Sequence, residues 1–386
     1  MQGLPVSQYL DPSRAPLEAA AVFAASWQFV CHASDLPAAG TAVRFDCAGR
    51  STLVLRTRTG ELQAFRNACR HRGARLVEGD SHTGLAFCVD GRLRCPYHGW
   101  TYDDAGALVS IPAGQRFDAG FDPAQHALLP AHVAQWRGLV FVAGDTPHET
   151  LAAALDGVAY GWPDLAALRR VIEPRTTECA ADWKLAAEHL LDAAHLDVAR
   201  PGLKPRVFGA PVFAPDAGAA IGARAGLASD DAGVTWSGRA YRRLLQDLPD
   251  TPAETRSIFL WPNTWLQLAP DGLVVLQVLP QAGAKCTYRE MRYAQPDPTR
   301  AMRLARYLHQ RVRRQALAVD VRLLRREQQG MSNLDGAERG PIPASEPGLR
   351  WFAARYREHV APAPGASKAA VPRRRTRAKA HPTVDA

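Results

Sequence analysis

Two hydrophobic periods divide this 386-residue chain. In the first third, short apolar runs at 53–55 and 62–65 flank Thr59-Gly60, and Asp103-Asp104-Ala105-Gly106 marks a later turn, which predicts β-hairpins. Runs at 258–261, 265–268, 273–279 and 286–293 predict a second group of strands, with Asp271-Gly272 as a hairpin turn. The other period is helical. Asp297-Pro298 has the N-cap and first-turn chemistry that opens a long helix, and Ala305, Leu308, Val312, Val319 and Leu323 repeat along one face of it. Together these predict an α+β chain, long enough for two cores.

Residues 182–196 predict a helix of a different kind. Ala and Leu cover most of its circumference, so it should be buried, and the polar stripe Glu188, Asp192 and His195 at i, i+4 and i+7 must point into protein. Buried ionisable groups need partners, which either a hydrogen-bonded network or a metal would supply.

Composition narrows the class. The net charge is +9, but Lys368, Arg373, Arg374, Arg375, Arg377 and Lys379 against Asp385 place +5 of it in residues 361–386. That stretch is rich in Ala, Pro and Arg with no apolar period, which predicts a disordered basic tail. No aromatic platform or groove-reading motif accompanies it, so nucleic acid is not an expected partner. Five of the seven cysteines (Cys31, Cys47, Cys88, Cys179 and Cys286) lack paired spacing, as reduced thiols do. The apolar stretch at 18–25 is too short for a signal-peptide core or a membrane span, so the expected setting is the cytoplasm, away from membranes.

The other two cysteines carry chemistry. Cys69-Arg70-His71 and Cys95-Pro96-Tyr97-His98 are two Cys/His pairs, each short enough for both side chains to reach one centre. Two thiolates and two imidazoles divided between two hairpin loops suit a [2Fe-2S] cluster with the cysteines on one iron and the histidines on the other. Tetrahedral zinc is the competing centre, but the alternation of Cys with His departs from zinc-finger spacing.

Residues 67–75, Asn-Ala-Cys-Arg-His-Arg-Gly-Ala-Arg, and 95–102, Cys-Pro-Tyr-His-Gly-Trp-Thr-Tyr, closely resemble the cluster domain of Rieske non-haem iron oxygenases. The resemblance runs from about residue 26 to about 359. It implies a Rieske [2Fe-2S] all-β domain plus a helix-grip (START-like) catalytic domain with an antiparallel sheet. The implied divisions are an N-terminal segment, 1–42, packing on the catalytic domain, then the cluster domain at 43–150, the catalytic domain at 151–360 and the basic tail. The 23 residues between His71 and Cys95 exceed the family's usual spacing and imply an extra surface turn, with His82 and Cys88 as bystanders.

In the catalytic half, Trp183-Lys184, Glu188, Asp192 and His195 are similar to the family's iron-binding helix. The resemblance makes His195 a ligand of a mononuclear Fe(II), and Asp192 the carboxylate bridging an iron-ligating histidine to a cluster histidine of the adjacent subunit. Asp320, in the pattern Asp320-Val321-x-Leu323 with Gln328-x-Gly330-Met331, resembles the iron carboxylate. The family's second histidine is missing: five residues past His195 stands Arg200, which has no lone pair to offer. His189 is the candidate stand-in ligand, although six residues of unbroken helix would turn it about 120° from His195. The alternative for His189 is a hydrogen-bonded histidine near the site.

The resemblance implies the catalytic, alpha-type subunit of an oxygenase that hydroxylates or demethylates a small organic substrate with O2. Its partners would be a ferredoxin or flavin reductase drawing on NAD(P)H, and its assembly a homotrimer, with a hetero-oligomer as the alternative. A reading from another class is an electron-transfer or structural subunit whose mononuclear iron site has decayed, with Arg200 neutralising Asp192, Asp197 or Asp320. The arginines of the long helix (Arg303, Arg306, Arg311, Arg313, Arg314, Arg322, Arg325 and Arg326) fit a solvated or inter-subunit face, or a reductase-docking face.

Overall fold

Alternating residues and tight turns build the N-terminal half, as the hairpin signals predict. The computed structural model describes residues 1–78, 85–87, 91–113, 117–118, 120–195, 207–214, 218–228, 234–248, 254–296, 298–334 and 338–360. His82, Cys88, Asp197, Arg200, Asp297 and the basic tail lie outside the described residues. Among the described residues ten strands form this half: β1 (Gln28–His32), β2 (Thr41–Cys47), β3 (Arg50–Arg56), β4 (Leu62–Arg66), β5 (Leu85–Phe87), β6 (Leu93–Arg94), β7 (Thr101–Tyr102), β8 (Leu108–Ser110), β9 (Pro130–Trp136) and β10 (Leu139–Ala143). Seven pair as an antiparallel sheet in the order β1-β10-β9-β4-β3-β2-β5, and β6-β7-β8 make a small second sheet. This sheet begins at Gln28, so the cluster half reaches further toward the N-terminus than the expected boundary at residue 43.

The second half is a sheet gripping a helix. Strands β11 (Arg169–Arg170), β12 (Arg175–Cys179), β13 (Val212–Phe213), β14 (Ala220–Gly226), β15 (Glu254–Leu260), β16 (Thr264–Ala269), β17 (Gly272–Gln281) and β18 (Lys285–Ala294) pair antiparallel in the order β11-β18-β17-β16-β15-β14-β13, with β12 also on β18. Helices α1 (Trp183–Leu191), α3 (Arg300–Met331) and α4 (Pro347–His359) pack against it, and α2 (Trp236–Gln246) packs on α3. The long helix is capped by Thr299, whose hydroxyl accepts from Met302 N, rather than by Asp297. Its buried stripe includes Ala305, Leu308, Val312 and Val319 as expected, but Leu324 replaces Leu323. None of the helices among the described residues is long and apolar enough to cross a membrane.

Buried charge ties the two halves together. Arg289 on β18 is 1% exposed; its guanidinium donates to the carbonyls of Phe29 (3.3 Å) and Val30 (2.6 Å) on β1 and to Gln277 Oε1 (2.7 Å). Tyr293, also on β18, donates to Asp35 Oδ2 at 2.9 Å and accepts from His32 N at 3.3 Å. The N-terminal segment packs on the catalytic half. There Lys184 Nζ lies 2.7 Å from Glu18 Oε1 and 2.8 Å from Asp182 Oδ1, and Trp183 and Tyr356 both donate to Glu18.

Removing one partner from such a buried pair strands the other charge. Lys184→Met should therefore lower stability by about 3–5 kcal/mol, read as a lower urea midpoint in tryptophan fluorescence. A loss below about 1 kcal/mol would show that this cluster is not a structural clamp.

Candidate metal centres and cavity

Two short loops with the same backbone plan hold the cysteine and histidine pairs. The first follows β4 and the second joins β6 to β7. In each, the cysteine N–H donates to a carbonyl five residues on, from Cys69 to Ala74 at 2.8 Å and from Cys95 to Trp100 at 2.7 Å. In each, a glycine N–H donates back to the cysteine carbonyl, from Gly73 at 2.8 Å and Gly99 at 3.0 Å. Both glycines sit at φ 74°, a left-handed conformation that side chains rarely adopt, and a Cβ on Gly99 would meet Pro112 at 2.9 Å. Asn67 braces the first loop, its Oδ1 accepting from Leu76 N and Val77 N, both at 3.0 Å.

These loops bring all four predicted cluster residues to one place. The Cys69 and Cys95 thiols are 2% exposed and in hydrogen-bonding contact, and the His71 and His98 rings have centroids 4.7 Å apart. Tyr102 Oη lies 3.3 Å from Cys69 Sγ and accepts from Arg70 N, while Trp100 stacks on His71 at 4.9 Å. His71 Nδ1 is buried and has no hydrogen-bond partner. An orphaned imidazole nitrogen beside two facing thiols fits a [2Fe-2S] cluster.

The second centre comes from a broken helix. α1 ends at Leu191, and Asp192 turns extended at φ −83°, ψ 114°, so the expected helix over 182–196 stops short and the 120° separation of His189 from His195 does not apply. Asp192 Oδ1 accepts from Ala194 N (2.8 Å) and His195 N (3.2 Å), a local turn that competes with the helix. The chain doubles back and stacks the His195 ring on His189, centroids 4.0 Å apart. One donor atom each from His189, His195 and Asp320 then fall within 4.8 Å of one another. His189 Nε2 lies 3.3 Å from Asp320 Oδ1, too poorly aligned for a hydrogen bond, and His189 Nε2 and both ring nitrogens of His195 are buried without hydrogen-bond partners. Two imidazoles and a carboxylate with unused nitrogens fit a mononuclear iron.

Asp192 and Glu188 do not join that trio. Asp192 Oδ2 approaches His195 Nδ1 at 3.4 Å. Burial pushes the Asp192 carboxyl upward, but the His195 contacts and the Ala194 N–H outweigh it and hold it below its ordinary range. Glu188 instead accepts from Tyr9 Oη at 2.6 Å and Arg339 Nη1 at 2.9 Å, so its burial is structural.

A cavity of about 250 Å³ opens from the trio between α3 and strands β14–β18. His309, Val312, Arg313, Ala316, Leu317 and Asp320 line it from the helix, spaced as one face. Arg313 thus points inward instead of joining the exposed arginines. At the far end Asp271, expected as a turn residue, is wholly buried against His309 Nδ1 (2.8 Å), Arg292 Nη2 (3.1 Å) and Tyr241 Oη (2.6 Å). Burial alone would raise the Asp271 carboxyl, but His309 and Arg292 hold it down at about 2, while burial lowers His309 from its ordinary range. Sequence reasoning missed this network because its members come from four elements; one signal for it was an acidic residue in a turn between largely apolar strands.

Comparisons with known proteins bear on both centres. Residues 26–132 match the Rieske [2Fe-2S] domain model, and residues 165–362 match that of the ring hydroxylating alpha subunit (catalytic domain). The glycine betaine monooxygenase oxygenase subunit of Chromohalobacter salexigens is 30% identical over 312 residues, 72% of this chain and 67% of that protein. The biphenyl dioxygenase subunit alpha of Paraburkholderia xenovorans is 30% identical over 224 residues, which span 52% of this chain and only 46% of the relative. Among solved structures, the quaternary ammonium Rieske monooxygenase CntA shares the fold at a TM-score of 0.76 and 20% identity, over 93% of this chain and 95% of that one.

The Asp271 network sets a pH dependence. Its carboxyl falls from an ordinary 3.8 to about 2, so its contribution is complete above pH 4 and is lost as pH falls through 2. That is worth about 2 kcal/mol. Asp271→Asn should flatten the acid limb of stability between those pH values; an unchanged limb in acid titrations would remove Asp271 from the account.

Proposed function

Because the chain belongs to the Rieske-type ring-hydroxylating oxygenase alpha-subunit family, we propose that it is a terminal oxygenase component that hydroxylates or demethylates a small organic substrate. Electrons would come from an NAD(P)H-dependent reductase, directly or through a ferredoxin. The observation that carries this reading is the meeting of His189, His195 and Asp320 at the end of a cavity, in the same chain as the paired Cys/His loops. A cluster held by Cys69, His71, Cys95 and His98 would supply single electrons, and Fe(II) held by the trio would offer open positions for O2 chemistry.

The chain's own side chains set the conditions. Glu188, braced by Tyr9 and Arg339, anchors the helix from which His189 projects. Leu190 and Leu317, each close in the chain to a member of the trio, give its end of the cavity an apolar lining. Asp192 is the proposed bridge: it lies against His195, and its side chain is 26% exposed, which leaves room for a cluster histidine of a neighbouring subunit. That role, with a cluster that passes one electron at a time, supports a homotrimer. The cytoplasm, where free cysteines stay reduced, is the proposed compartment. The decayed-site reading rested on Arg200, which lies outside the described residues; what favours an intact site is the approach of His189, His195 and Asp320 to one another.

A single-turnover experiment tests this. Chemical reduction should bleach the cluster, and mixing the reduced protein with O2 and a substrate should restore its absorbance with one product formed per site. Cluster reoxidation that no substrate accelerates, without product, would contradict it. Asp192→Asn should keep cluster colour and iron yet slow substrate-dependent reoxidation about 10–100-fold. Unchanged kinetics would remove the bridge.

A further inference from the structure

We propose that Arg313 is the anchor of a substrate carboxylate, so that this cavity selects small monocarboxylates over hydrocarbons; the inference rests on the oxygenase reading above. On α3, Arg313 stands seven residues before Asp320 on the same cavity-lining face, about 10 Å along the axis. The polar wall and the metal trio therefore face one small molecule from opposite ends. Ala316 and Leu317 stand between them on α3, and Leu190 and Leu276 add apolar wall.

The guanidinium is oriented from one side. Arg313 Nη1 donates to Gln267 Oε1 at 2.9 Å and Nε faces Glu290 Oε2 at 3.4 Å. Its other amino group makes no hydrogen bond among the described residues and borders the cavity. Glu290 is held ionised: burial raises it, but Arg313, Arg292 and His309 outweigh that and lower it. Nε and Nη1 stand on different edges of the planar fork, so these two acceptors fix its plane and leave Nη2 with no hydrogen-bond partner among the described residues. Deeper in, the Asp271 carboxylate can only accept, so His309, a residue of the cavity lining, carries a proton on Nδ1.

A hydrocarbon filling this space would desolvate Arg313 and give its N–H groups nothing in return. A carboxylate accepts from a guanidinium edge in a planar, charge-assisted pair. The arrangement thus favours a substrate with its anionic group at Arg313 and the carbon to be oxidised toward His189, His195 and Asp320.

Calorimetric binding to the purified holoprotein tests this without relying on turnover. The probes are benzoate, 4-methylbenzoate and cyclohexanecarboxylate, each paired with the molecule carrying methyl in place of carboxylate: toluene, p-xylene and methylcyclohexane. At least one carboxylate should bind roughly 100-fold tighter than its partner. Arg313→Met should abolish that preference while changing hydrocarbon affinity less than about 3-fold, and Arg313→Lys should restore part of it. Iron and cluster content, measured on the same samples, should not change. Equal or tighter binding of the hydrocarbons, failure of every carboxylate to bind, or a preference that survives Arg313→Met would each overturn the proposal. Failure of the oxygenase reading would show instead as missing iron or missing product, whatever the binding.

Discussion

The catalytic half depends on one helix stopping where it does. Had α1 run on through Asp192, helical geometry would have turned His195 well away from His189. It stops because Asp192 offers its carboxylate to the two N–H groups just ahead, from Ala194 and His195. The helix end is also crowded: α4 comes so close at Gly348 that a Cβ there would lie 3.1 Å from the Leu191 carbonyl oxygen. The same side chain that ends the helix holds the His195 backbone and touches its ring, so the turn and the orientation of the imidazole are one feature.

Around that turn, the structure uses buried charge as fixed points. Arg289 joins β1 to β18, Lys184 joins the N-terminal segment to α1, and Asp271 joins the β16–β17 turn to α3 through His309. Each charged group sits against carbonyls or an opposite charge, since a buried ion left alone costs several kcal/mol. These contacts are directional where apolar packing is not. They fix the sheet against α3 and so set the width of the cavity and the position of Arg313 within it.

Much of this was legible in the residues. The Cys/His spacing and its surroundings placed the cluster loops, and the strand runs read from the sequence fell within a few residues of β3, β4 and β15–β18, because turn chemistry and alternation are local signals, while strands such as β1, β2, β9 and β10 were not foreseen. Asp320 was placed by resemblance to an iron-carboxylate segment, and the structure puts it beside His189 and His195. What the sequence hid was tertiary. The break at Asp192 is invisible to a pattern rich in Ala and Leu, which reads as helix straight through it. Arg313 reads as one more exposed arginine until the neighbours of α3 are known, and the partners of Asp271 are 21 to 38 residues away in the chain. The reach of the cluster-half sheet back to Gln28 also depends on a partner, β10, more than a hundred residues on.

The central claim is that His189 completes an iron site with His195 and Asp320. Iron and acid-labile sulfide per chain, measured in the wild type and in His189→Ala after anaerobic reconstitution, test it most directly. The account predicts about three irons and two sulfides in the wild type, and in the variant the loss of one iron with both sulfides retained. A wild type with only two irons, or a variant that keeps its third, would contradict it.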